Sequence, residues 1–156
     1  MATIIHCKAL IILFYLLNFI LCSYDIKELA LNQIKYGALK NDESDFYKIT
    51  LPVDVDRGSQ VIFELESNPV LDRINNIVSD PNLYISIDEQ HPTDLKNMWS
   101  SNRFGDETIT LGPQYCNPNQ FFFIGVHCRE KCNYILRVST AKTIVLYTGM
   151  AYGLFR

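Results

Sequence analysis

Apolar and polar residues alternate strictly in stretch after stretch of this chain, the mark of strands that bury one face and wet the other. In residues 46–51 (FYKITL), Tyr47, Ile49 and Leu51 share one face while Lys48 and Thr50 share the other. Residues 61–66 (VIFELE) repeat the pattern with Val61, Phe63 and Leu65 inward, and residues 83–88 (LYISID) with Leu83, Ile85 and Ile87. Residues 108–111 (TITL) and 133–139 (NYILRVS) add Ile109, Leu111, Tyr134, Leu136 and Val138. Residues 121–128 (FFFIGVHC) are apolar at nearly every position, which predicts a central strand buried on both faces.

Turn chemistry separates these runs: residues 41–45, the Asp56-Arg57-Gly58-Ser59 turn, Asp80-Pro81-Asn82, residues 102–106, Gly112-Pro113 and residues 116–119. Short strands at this spacing predict an all-β sandwich or barrel. Residues 70–78 (VLDRINNIV) are the exception, because Leu71, Ile74 and Val78 fall at helical spacing and predict a short helix or a lid across one end.

The first residues change the picture of where this domain lives. One lysine, Lys8, precedes a 14-residue apolar run, residues 9–22, broken only by Asn18. A membrane span needs about 20 apolar residues, so residues 1–23 read as a signal-peptide helix cut near Cys22 or Ser23. The alternative is an uncleaved signal anchor, since Ile20 and Leu21 are large for the positions before a cleavage site. Either way the domain is secreted or faces the lumen or exterior of a membrane.

Behind the leader stand 13 basic and 17 acidic residues, scattered rather than blocked. That balance excludes nucleic acid as a partner and leaves the membrane only the leader, or a segment beyond Arg156, as a point of attachment. Of five cysteines, Cys116, Cys128 and Cys132 lie outside the leader, in a compartment where thiols pair. Cys128 and Cys132 bracket a three-residue charged turn and would bridge the mouth of a hairpin; Cys116 with either is the competing pair.

No constellation announces catalysis. His91 and His127 are the histidines beyond the leader, and no serine elbow, zinc-protease helix or phosphate loop is present. His127 and Cys128 are neighbours on one strand and point to opposite faces, which removes the sharpest nucleophile pair. Asp42, Glu43 and Asp45 in one loop, with Asp54 and Asp56 in another, could hold calcium at a sandwich rim or serve simply as solvated turn residues; no other cofactor is implied. Tyr84, alternating outward, Trp99 in a polar run and Phe104 before Gly105 are the aromatic binding candidates, although such a tryptophan can equally cover one end of a core.

Residues 28–39 (ELALNQIKYGAL) and 144–155 (IVLYTGMAYGLF) share a Tyr-Gly step at Tyr36-Gly37 and Tyr152-Gly153, offset by 116 residues. The offset is close to a domain length, which points to the start of a second copy in residues 141–156; the alternatives are chance similarity or a swapped terminal strand.

The order Asp80-Pro81-Asn82-Leu83-Tyr84-Ile85-Ser86, Trp99-Ser100-Ser101, Asp106-Glu107-Thr108-Ile109, Phe122-Phe123-Ile124-Gly125-Val126 and Asn133-Tyr134-Ile135-Leu136-Arg137-Val138 resembles the bacterial pre-peptidase C-terminal domain family. It departs from that pattern in Asn82, where the family has a second aspartate, and in the inserted residues 70–79. The resemblance covers roughly residues 26–140 and implies an antiparallel β-sandwich of jelly-roll type over residues 24–140. Such domains are accessory modules of secreted proteases and surface proteins, some binding collagen or carbohydrate, and versions with the cysteine hairpin resemble those repeated in secreted or membrane-anchored proteins of unicellular eukaryotes. It implies no catalytic residue. The leading expectation is a non-catalytic module that adheres to an extracellular protein or glycan, or spaces other domains. An accessory domain of a longer secreted hydrolase is the alternative, and a protease inhibitor presenting the Cys128–Cys132 tip is a third.

Overall fold

A computed structural model of the chain describes residues 25–142; the leader and residues 144–155, including Tyr152-Gly153, lie outside them. Strand β1 (Ile26–Leu29) is followed by β2 (Ile34–Leu39), β3 (Glu43–Thr50), β4 (Ser59–Ser67), a short helix α1 (Pro69–Asn75), β5 (Pro81–Ser86), β6 (Trp99–Ser101) and β7 (Glu107–Leu111). A 3₁₀ turn at Pro113–Tyr115 leads to β8 (Phe121–Cys128) and β9 (Cys132–Lys142). The strands form two sheets, in the orders β1-β3-β8-β5-β6 and β2-β9-β4-β7.

The topology is that of one long ribbon rolled up. β2 pairs antiparallel with β9, β3 with β8, β4 with β7 and β5 with β6. Rolling brings β4 beside β9 and β5 beside β8, which completes each sheet. The expected jelly-roll sandwich is therefore the fold, with one addition: β1 lies parallel to β3 as an extra edge strand.

Period-two patterning supplies the core. Tyr47, Ile49 and Leu51 from the β3 side and Phe122, Ile124 and Val126 from β8 face Val61, Phe63 and Leu65 of β4 and Tyr134, Leu136 and Val138 of β9, all essentially buried. The Phe63 and Phe122 rings meet edge to face at 5.3 Å across the sheets. Each such aliphatic or phenyl side chain contributes roughly 1.5–3 kcal/mol by leaving water.

β8 is buried on both faces, as its composition predicts, because residues 87–98 lie over the outer face of its sheet. The Pro92 carbonyl oxygen occupies the place of a side chain at Gly125, 2.1 Å from where a Cβ would be. His91 packs edge-on against Phe46 at 4.9 Å. The same cover buries Tyr84, to 5% exposure, correcting the expectation that it faces solvent: alternation assigned the outer face properly, but a loop rather than water lies on it.

Cys128 and Cys132 form the disulfide, while Cys116 is a buried free thiol. The strands that carry the bridge do not form a hairpin. β8 pairs with β3 and β5 in one sheet and β9 with β2 and β4 in the other, so the bridge staples the corner where the chain crosses between sheets. The adjacent crossing packs on it: the Asp42 amide donates to the Cys128 carbonyl at 3.0 Å, and the Lys131 amide to the Asn41 side chain at 2.9 Å.

Candidate functional site

Two sheet edges remain open on one side of the sandwich. Among the described residues β1 pairs only with β3, and β2 only with β9, so that each leaves one row of backbone groups without a partner strand there. Between these edges lies a cleft of about 630 Å³, bordered by Lys27, Lys35, Tyr36, Asp42, Glu43 and Asp45.

Its floor is a hydrogen-bonded cluster. Asp45 Oδ1 accepts from Lys27 Nζ at 2.5 Å, and Asp45 Oδ2 accepts from the Tyr134 hydroxyl and, at 3.4 Å, from the Tyr47 hydroxyl. The two phenol oxygens are 2.6 Å apart. Tyr134 reaches this position because Gly37 leaves room for it. A Cβ there would lie 2.0 Å from the ring's Cζ, which gives the Tyr36-Gly37 step a packing reason. Lys27 also sits 5.5 Å from the Tyr47 ring centre.

Burial pushes the Tyr47 phenol up to about 12; the Tyr134 hydroxyl opposes that rise and the Asp45 charge adds to it. Burial also raises Tyr134, reinforced by its bonds to Asp45 and Tyr47. Both phenols therefore hold their protons at neutral pH. The phenol protons are spent inside the cluster and its carboxylate is engaged, so the cluster holds the cleft in shape from beneath and is unsuited to abstracting a proton.

The residues singled out from sequence do not converge here, except for three carboxylates. Asp42 and Glu43 border the cleft, with the Glu43 carboxylate accepting from the Lys40 amide at 3.0 Å. Asp45, expected in the same loop, is in β3 and held by Lys27 and the two tyrosines. Asp54 and Asp56 lie in the distant turn before β4. There Asp56 accepts from the Gly58 amide and from Lys142, both at 3.0 Å, and its carboxyl is held below its usual range by the Gly58 bond first and Lys142 second. Among the described residues no three His, Cys, Asp or Glu side chains are grouped to hold a metal ion.

Trp99 closes one end of the core, its ring edge-on to Tyr115 at 5.0 Å, which is the alternative its sequence context allowed. Phe104 is 81% exposed on the turn before β7. Tyr84 lines a smaller recess of about 150 Å³ with Ser44, Thr93, Asp94 and His127, where Ser44 Oγ and His127 Nδ1 are 3.0 Å apart. His127 and Cys128 do face opposite ways, and Cys128 is oxidised. The Cys116 thiol donates to the Asp56 carbonyl at 3.4 Å, and burial raises its pKa, helped by the Asp56 charge.

Sequence reasoning missed the tyrosine cluster. Tyr47 and Tyr134 were correctly placed inward, but as core residues; the available signal was that a buried phenol oxygen needs a partner, and Asp45 stands two residues from Tyr47.

No protein-family model and no curated protein matches the chain. Among solved structures it is similar to PliG, a periplasmic lysozyme inhibitor of g-type lysozyme from Aeromonas hydrophila, at 11% identity and a TM-score of 0.47, over 75% of this chain and 98% of that one. Among the described residues no helix is long and apolar enough to cross a membrane.

Proposed function

We propose that this chain is a secreted, non-catalytic module that binds an extracellular protein partner in the cleft between β2 and the β1–β3 edge. The observation that carries the reading is the cleft itself: two strand edges that no other described strand covers, over a floor whose protons are fixed. An extended segment of a partner can add to such an edge through main-chain hydrogen bonds, while Lys35, Tyr36 and Glu43 select its side chains. Tyr36, 63% exposed on β2, is the aromatic anchor. The reading calls for no cofactor. Membership of the pre-peptidase C-terminal domain family is part of the proposal, supported by the order of strand motifs and compatible with the jelly-roll topology.

The test is to probe the secreted chain against extracellular-matrix protein and glycan arrays beside a Lys35→Glu/Tyr36→Ala variant. Binding to a protein that the variant loses at least about tenfold supports the reading. Binding that the variant retains, a signal on glycans alone, or no signal at all counts against it.

A further inference from the structure

The strap of residues 87–98 encloses a second polar space as it crosses its sheet. Its Pro92 carbonyl settles on Gly125, and the chain then turns tightly. The Thr93 amide donates to the Lys96 carbonyl at 2.9 Å and the Lys96 amide to the Thr93 carbonyl at 3.2 Å. The Asn97 side-chain amide locks the turn, donating to the Thr93 carbonyl at 2.8 Å and the Asp94 carbonyl at 3.2 Å. Thr93 and Asp94 are thereby held as one wall of the recess of about 150 Å³, whose other walls are Ser44 of β3, Tyr84 of β5 and His127 of β8. Each of these side chains carries a hydroxyl, an imidazole or a carboxylate. Tyr84 is the observation that points to a ligand. It is only 5% exposed, yet no described residue bonds its hydroxyl, and that oxygen is not sealed off, so it opens into the recess. A phenol this deeply buried ordinarily finds a partner.

We propose that this recess binds a primary ammonium group, carried by a small amine or by a lysine side chain of a protein partner. Charge is the first reason. Asp94 is the carboxylate that lines the recess, no lysine or arginine lines it, and among the described residues Asp94 has no ion-pair partner. Burial raises the Tyr84 phenol first, the Asp94 charge raises it further, and Arg129 opposes with less effect than Asp94. The phenol therefore keeps its proton in a net negative field, which disfavours an anion. Hydrogen bonding is the second reason. Ser44 Oγ and His127 Nδ1 are 3.0 Å apart, and in the tautomer whose Nδ1–H donates to Ser44 the Nε2 lone pair is left over. Carboxylate, imidazole nitrogen and phenol oxygen then match the three N–H donors of one ammonium. Size is the third: at about 30 Å³ for each water, the recess has room for roughly five, enough for an ammonium and its first methylenes. Other cations fit less well. Among the described residues no three metal-binding side chains are grouped, and a quaternary ammonium calls for an aromatic cage where the recess has one phenol ring. Ser44 also borders the cleft, because β1 covers β3 only from Phe46 onward, so cleft and recess meet there.

The test is NMR titration of the secreted chain with butylammonium, read at the His127 imidazole and at the Ser44 and Thr93 amides. Wild type is expected to show saturable shifts in the millimolar range, whereas tetramethylammonium, which has the charge without N–H donors, should show none. Asp94→Asn should weaken butylammonium by at least about tenfold and Tyr84→Phe by at least about threefold. Neither change threatens the fold, since Asp94 is exposed and the Tyr84 hydroxyl has no described partner to lose. Absence of a saturable shift, an equal response to tetramethylammonium, or wild-type affinity in Asp94→Asn overturns the proposal. So do shifts that acetate or glycerol produces in place of butylammonium. A blocked Thr-Lys-Thr peptide separates the two sources: affinity at least about tenfold above butylammonium assigns the site to a partner's lysine, and equal affinity assigns it to a free amine. The lysine arm alone rests on the cleft reading. Its gain should vanish in Lys35→Glu/Tyr36→Ala; if that variant keeps it, the cleft reading fails while the ammonium site stands.

Discussion

Asp45 and Glu107 are both carboxylates enclosed by the same sandwich, one beneath the cleft and the other at the start of β7. Asp45 has a partner on each oxygen, Lys27 on one and two phenols on the other. Glu107 is 1% exposed and accepts the Ser101 hydroxyl on Oε2, while Oε1 is the buried side-chain oxygen among the described residues that has no partner. Burial raises the Glu107 pKa, opposed by the Ser101 bond and the Arg103 amide and aided by the Asp80 charge. A carboxylate's effect on stability thus depends less on how deep it lies than on whether each oxygen is satisfied. Asp45 is a structural centre, whereas ionised Glu107 is a cost.

The most severe way to break the Asp45 side of that contrast is Gly37→Ala. The new methyl must displace the fully buried Tyr134 ring, and a loss of about 3 kcal/mol or more is expected in urea unfolding. A loss below about 1 kcal/mol would show that the ring moves freely and that the cluster is not fixed. Asp45→Ala comes next, at roughly 2 kcal/mol, since it strips the acceptor from two buried phenols. A double-mutant cycle with Tyr134→Phe should give a coupling above about 0.5 kcal/mol, and strict additivity would mean that the pair is only a proximity.

Glu107→Gln tests the other side and should act in the opposite direction, stabilising by about 1 kcal/mol at neutral pH. The folded state raises this carboxyl's pKa, so it binds the proton more tightly than the unfolded chain does. Its favourable contribution is complete below the unfolded carboxylate value and is lost as pH rises through the folded one. The gap between wild type and Glu107→Gln should therefore open with rising pH across that window; a gap that closes instead contradicts the assignment. Smallest is Lys27→Met, below about 1 kcal/mol, because the lysine is 39% exposed and water competes for its ammonium. A larger effect would move the weight of the cluster from the phenols to the ion pair.

The strands of the core were legible because one face of each is buried and the side-chain period is two. Tyr47, Ile49, Leu51, Val61, Phe63 and Leu65 are inward as read. β1 and β2 were not legible as strands, since they are edges that bury little: Ile34 and Tyr36 are 50% and 63% exposed, so the alternation that betrays a core strand is weak. Residues 28–39 stood out only for the Tyr-Gly step, whose meaning depends on Tyr134, about a hundred residues away. The same non-locality hid the cleft: its two edges are consecutive in the chain, joined by the turn at residues 30–33, but they belong to different sheets, and that is decided by the distant partners β3 and β9. It also misled the reading of the cysteines, because a short connection between two apolar strands looks the same whether they pair or cross between sheets. The helical spacing of residues 70–78 was visible, but nothing local revealed that Ser79 and Asn133 would bind Asp72 and turn the apolar side outward.

The claim beneath the proposed function is that the cleft rests on a set of buried phenols that keep their protons and hold its floor rigid. Ultraviolet titration of the folded chain, followed beside Asp45→Ala, measures this directly. The account predicts a tyrosine class that ionises only near pH 12, assigned to Tyr47, with Tyr134 ionising later still, and expects Asp45→Ala to change that late class alone. If every tyrosine ionises near the ordinary value of about 10 while the fold persists, the phenols are not enclosed and the account of the cleft is wrong.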